Sequence, residues 1–214
     1  MADPVGNDPN LLLRRALAGD ESALATLFDG YREPLSRIVR LRLDRRLSGR
    51  IDSSDVLQEA YLDVRKRLSE YARDPTTMPF HLWLRLIAGQ KLIDVHRYHL
   101  GTQMRDAGHE VSLHRGPFPQ ASSISLAAQL LGKLTSASKA AIRAEHKLIV
   151  QEALNGMDLI DREVLTLRQF EHLSNEETAL VLGLNKSAAS NRYIRALRRL
   201  KEILSSIPGL KEQL

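Results

Sequence analysis

Residues Ser174 to Leu200 read SNEETALVLGLNKSAASNRYIRALRRL, and the spacing within them decides the fold. Ser174 with Glu177 three residues on is a capping box, in which each side chain satisfies the other residue's orphan backbone donor and so opens a helix. Ala179 gives that helix a small residue where a partner can approach closely, and Gly183 stands where a sharp turn needs positive φ. Asn185 then caps a further helix. In it Ala189, Tyr193, Ala196 and Leu200 recur at spacings of 4, 3 and 4, which makes one seam for burial. The opposite face carries Lys186, Ser187, Ser190, Asn191, Arg192, Arg195, Arg198 and Arg199. Short polar side chains near the amino end of such a helix suit base edges in a major groove, and arginines further along suit phosphates and guanines. A basic helical face can also be merely solvated. The capped helix, glycine turn and small residue that precede it favour a helix-turn-helix instead: each element is weak alone, and the pattern as a whole is specific.

Working outward, Asp158 caps a helix to about Phe170 that buries Val164, Leu165 and Leu167, which completes a carboxy-terminal domain over 146–207. Before it, 105–145 changes to a glycine, proline and serine texture and is expected to be a flexible interdomain linker, with a short helix still open at Leu126 to Leu134. Residues 1–104 form an amino-terminal helical domain. Asp8-Pro9 starts its first helix and Asp20 a second, whose apolar positions Leu24, Leu27, Phe28 and Tyr31 continue to Leu35, Ile38 and Val39, with a kink at Pro34. An arginine-rich segment follows, and Asp52-Ser53-Ser54-Asp55 opens a third long helix. Pro75 and Pro79 mark a loop, after which a helix runs to about Leu100. Trp83, at helical spacing with Phe80 and Ile87, reads as core in preference to a base-stacking platform.

Composition agrees with an all-α chain of two small domains. Of 214 residues, 43% are hydrophobic, 27% charged and only 5% aromatic, with β-branched residues sparse beside leucine, alanine, arginine and glutamate. A net charge of +5 and a pI near 9.6 suit an anionic partner, nucleic acid first. The absence of cysteine rules out disulfides and thiol chemistry. No apolar run approaches the roughly 20 residues of a membrane span, so the expectation is a soluble, cytoplasmic protein with no membrane segment.

Three stretches in order resemble the extracytoplasmic-function (ECF) sigma factors, the smallest class of bacterial RNA polymerase specificity subunits. Asp52 to Tyr61 looks like the helix that docks on the polymerase clamp, Phe80 to Ala88 with Ile93-Asp94 like the promoter-melting helix, and Arg162 to Leu165 with Leu173 to Ala179 and Ser190 to Arg192 like region four. The resemblance implies core RNA polymerase and promoter DNA as partners, with no cofactor and no metal. It implies that Asp52, Asp55, Gln58 and Glu59 dock on polymerase, that Arg85, Gln90, Lys91, Asp94 and Arg97 contact the minus 10 element, and that the recognition helix meets the minus 35 element. For Asp52, a helix amino terminus favoured by the dipole is a plainer explanation that also holds. Ser54 departs from the family, which usually has an acid there. Phosphorylation of Ser53 or Ser54 by a Ser/Thr kinase would restore the charge; an anti-sigma protein is the other candidate partner.

Two rival classes remain to be tested. A recombinase-like enzyme would need a nucleophile with convergent acid, base or metal groups in the amino-terminal part, and none is present. His96 and His99 stand three apart without a carboxylate-histidine pattern and read as surface or DNA-facing groups. A stand-alone helix-turn-helix regulator would bind DNA tightly without core polymerase.

Overall fold

The computed structural model describes residues 8–47, 49–100, 118–134 and 140–206, and among these the only regular structure is helix. They divide into two units: 8–100 with 118–119, and 120–206.

The first unit begins with three short helices whose starts are written in single residues. The Asp8 carboxylate accepts from the Asn10 N–H at 3.0 Å and opens α1 (Pro9–Leu17); Asp20 accepts from Ala23 at 3.0 Å and opens α2 (Glu21–Gly30). The continuous helix expected up to Val39 is broken at Tyr31, and α3 (Arg32–Arg42) starts afresh. Pro34 is the reason: it lacks the N–H that would bond to Gly30, and its ring crowds that carbonyl, so it is tolerated only in a first turn. Asp52 accepts from Ser54 and Asp55 at 2.7 and 3.0 Å while Asp55 accepts from the Asp52 N–H at 2.9 Å, the capping box that opens α4 (Ser53–Arg73).

α4 packs on α5 (Phe80–Leu100), and α3 packs on both. Leu57, Ala60 and Val64 of α4 meet Leu84, Ile87 and Ala88 of α5 in one apolar cluster. Trp83 is 7% exposed and stacks within 4.9 Å of Tyr71 and 5.7 Å of Phe80, so it belongs to the core. The Tyr71 hydroxyl donates to the Met78 carbonyl at 3.1 Å, which pins the proline-bearing loop to that ring cluster.

α5 also buries a second stripe, formed by Leu82, Arg85, Gly89 and His96. Phe118 covers its middle. Its ring lies 3.8 Å from the Arg85 guanidinium and 4.9 Å from that of Arg42, and Arg42 Nη1 donates to the Pro119 carbonyl at 2.8 Å. The ring comes so close to Gly89 that a Cβ there would stand 2.1 Å from it, so the helix must carry glycine at this contact.

The second unit holds α6 (Ser123–Leu134), α7 (Ala140–Asn155), α8 (Leu159–Gln169), α9 (Asn175–Leu182) and α10 (Lys186–Ser206). Much of the expected linker over 105–145 is therefore ordered differently: Phe118 and Pro119 pack on the first unit, and α6 and the start of α7 belong to the second. The remainder, at 105–117 and 135–139, lies outside the described residues. Leu126, Ala127 and Leu131 of α6 are fully buried. The side chain of Arg162 on α8 donates to Ser123 Oγ at 3.0 Å, to the Leu154 carbonyl at 3.3 Å and to Gln120 Oε1 at 2.7 Å, while Ser123 Oγ donates to Asn155 Oδ1 at 2.6 Å. This buried knot joins the start of α6 to the end of α7 and to α8. Ser123, which reads as linker, is a partner in this knot, a role visible only once its distant partners Asn155 and Arg162 are placed.

Candidate nucleic-acid interface

The turn between α9 and α10 has the geometry its residues require. Ser174 Oγ accepts from the Glu177 N–H at 3.1 Å, and Glu177 accepts from the Ser174 N–H at 2.7 Å. Gly183 adopts φ 59° and ψ 36°, the left-handed conformation that lets the Leu184 N–H reach back to the Ala179 carbonyl at 2.9 Å. Asn185 Oδ1 accepts from the Ala188 N–H at 2.7 Å, and Asn175 Nδ2 donates to the Lys186 carbonyl at 2.9 Å, locking the start of α9 to the start of α10. Ala189 and Ala196 are fully buried, with Leu200, Ile203 and Leu204 continuing the seam. Tyr193 is half-buried: its hydroxyl accepts from Gln169, and the Arg168 guanidinium lies 4.9 Å from its ring.

Outside this seam, Lys186, Ser187, Asn191, Arg195, Arg198 and Arg199 are exposed, and Ser190 and Arg192 are half-buried. The structure thus gathers all eight residues on one helix but does not leave them equivalent. Lys186 pairs with Glu176, and Arg199 with Glu202 at 3.4 Å. Arg192 Nη1 donates to Asp161 at 2.8 Å and to Asp158 at 3.1 Å; Arg195 meets Asp161 through Nε at 2.5 Å and Nη2 at 2.7 Å. Burial alone would raise the Asp161 pKa, but the hydrogen bonds from Arg195 and Arg192 outweigh it and hold the carboxyl below its ordinary range. Reading the sequence missed Asp161. It lies 31 and 34 residues from its two partners, and no local pattern marks it.

On the first unit, Asp52, Asp55, Gln58 and Glu59 are all exposed along the first turns of α4. Ser54 is exposed beside them, whereas the Ser53 hydroxyl shares a 2.8 Å hydrogen bond with that of Ser36. The set on α5 is dispersed. Arg85 is 5% exposed under Phe118. Gln90 accepts from Arg67 at 2.6 Å, and Lys91 pairs with Asp63 at 2.7 Å, a hydrogen bond that raises the lysine pKa and keeps it charged. Asp94 and Arg97 are exposed and stand 4.0 Å apart. His96 is buried, with Nε2 accepting from the Asp44 N–H at 3.2 Å; the surface or DNA-facing role read for it does not hold, and only His99 is exposed. No helix among the described residues is long and apolar enough to cross a membrane.

Capped helix, left-handed glycine and basic outer helix define a helix-turn-helix protein, and comparison with known proteins narrows the class. The family model for sigma-70, region 4, matches residues 147–200. The ECF RNA polymerase sigma factor ShbA of Streptomyces griseus is 30% identical over 194 residues, covering 90% of this chain and 93% of its own. SigD of Mycobacterium tuberculosis, also an ECF sigma factor, is 29% identical over 197 residues, covering 92% and 84%. Among solved structures, CnrH in complex with the cytosolic domain of CnrY shares the fold, with a TM-score of 0.55 and 23% identity over 94% of this chain and 98% of that one. The chain belongs to the ECF RNA polymerase sigma factors. It directs core RNA polymerase to specific promoters for transcription initiation.

Proposed function

We propose a division of labour between the two units: α10 reads the upstream promoter element, while the first unit docks on polymerase through the start of α4 and meets the opened downstream element through α5. The observation that carries the first half is the outer face of α10, where Ser187 and Asn191 stand exposed near the amino end and Arg195, Arg198 and Arg199 further along. That order matches base edges followed by phosphates in a major groove. For the second half, the exposed row Asp52, Asp55, Gln58 and Glu59 supports a polar docking surface. Asp94 and Arg97 are the best-placed downstream contacts, Gln90 and Lys91 act from the α4 edge, and Arg85 has no access to DNA while Phe118 covers it. Ser54 is the exposed position at which a phosphate would add charge to the docking row, and gain of core affinity by Ser54→Asp tests that point.

The experiment is transcription in vitro by core polymerase reconstituted with this chain, on a library randomised at the promoter. Transcribed templates are expected to share an upstream and a downstream motif. Asn191→Ala is expected to relax preference at one upstream position by about 1–3 kcal/mol, and Arg198→Ala to weaken all sequences alike and to lower the salt slope by about 1. A library transcribed without upstream preference would remove α10 from promoter recognition.

A further inference from the structure

We propose that Asp161 is a positioning residue for promoter recognition, fixing Arg192 and Arg195 from beneath the recognition helix. The proposal rests on the reading of α10 as the helix that meets duplex DNA. Asp161 stands in the first turn of α8 with only 7% of its side chain exposed, and both carboxylate oxygens are spent on α10. Arg195 is held side-on through Nε and Nη2, while its side chain as a whole stays 61% exposed. It is clamped on one edge and open on the other. An arginine has five N–H donors, so an edge clamp leaves the Nη1 pair for a base or a phosphate. Arg192 is held at one nitrogen by Asp161 and Asp158 together.

Two consequences follow from this geometry. An arginine held in one rotamer loses less conformational freedom when it binds, and it offers its donors in a fixed direction, which favours matched over mismatched contacts. Asp161 also cancels part of the positive charge the two arginines present, which lowers attraction to any phosphate backbone regardless of sequence. The carboxylate thus trades general affinity for discrimination. It cannot be left without its arginines at little cost, because a buried, unpaired carboxylate is unfavourable.

Asp161→Asn keeps the shape but removes the charge and turns one of the two accepting oxygens into an N–H donor, which cannot accept from an arginine. In the full chain, its binding to random-sequence duplex DNA is expected to gain a salt slope steeper by about one unit. In the reconstituted holoenzyme, transcription of the library randomised at the upstream element is expected to lose about tenfold in discrimination. Asp161→Glu, which restores the charge with a longer reach, is expected to recover the salt slope and part of the discrimination. A role confined to stability would lower the melting temperature and leave both readouts unchanged in the folded protein. If Asp161→Asn does not fold, Asp161→Glu carries the test through its discrimination alone. An upstream preference in the wild type that the folded variant reproduces, with the same salt slope, overturns the role of Asp161; a wild type without upstream preference overturns the reading of α10, and Asp161 with it.

Discussion

At His96, burial and hydrogen bonding act in the same direction. Burial is the largest cause holding its pKa below the ordinary imidazole value; the Asp44 carboxylate opposes that and the Arg46 guanidinium reinforces it. Nε2 must also be unprotonated to accept from the Asp44 N–H. A base with a depressed folded pKa contributes stability that is present above its unfolded value, about 6.5, and is lost as pH falls through the folded value. The first unit is therefore expected to melt at progressively lower temperature below about pH 6.5. Fluorescence of Trp83, the one tryptophan, reports this, because Trp83 lies in that unit's core. His96→Gln should flatten this part of the profile, and superimposable profiles for the two proteins would refute the assignment. This dependence was not legible in the sequence, where His96 and His99 look alike; one is buried against Asp44, 52 residues away in the chain, and the other is exposed.

Among the elements, α5 and α6 show what periodicity conveys and what it leaves out. The apolar stripe Phe80, Trp83, Leu84, Ile87 marks one face of α5, but the second buried stripe contains an arginine, a glycine and a histidine and so reads as solvent-facing. Its middle, at Arg85 and Gly89, is buried because Phe118 covers it. Gly89→Ala is expected to destabilise the first unit by about 1–3 kcal/mol, since the new Cβ must displace the ring. In a Phe118→Ala background the same substitution should cost almost nothing, as denaturant titration followed at Trp83 would show; equal costs in the two backgrounds would exclude the ring contact as the cause. For α6, a linker helix would tolerate truncation, whereas Leu126, at 0% exposure, is a core residue. Leu126→Ala is expected to cost about 2–5 kcal/mol in unfolding of the second unit, measured by circular dichroism. A cost near zero would return α6 to the linker.

For the whole molecule, promoter preference should be a property of the holoenzyme more than of the free chain. Several cations on the two candidate faces are partly neutralised by Asp63, Asp161, Glu176 and Glu202, so the free chain should bind promoter and random duplexes weakly and with similar affinity. Comparing the two by fluorescence anisotropy, with and without core polymerase, checks this; tight promoter-specific binding by the chain alone would show that its recognition surfaces need no polymerase to read the promoter. The helix-turn-helix itself was legible from the chain, because each of its signals acts within a few residues: Ser174 with Glu177, Gly183 at its turn, Asn185 with Ala188, and the seam from Ala189 to Leu200. Caps, turns and periodicity are local, and they survive whatever the rest of the molecule does. Only the tertiary structure decided which arginines are clamped, which face of α5 is covered and which unit holds α6. Those outcomes depend on Asp161, Phe118 and Arg162 meeting partners far away in the chain, and ion pairing and burial are set by packing, which carries no sequence period.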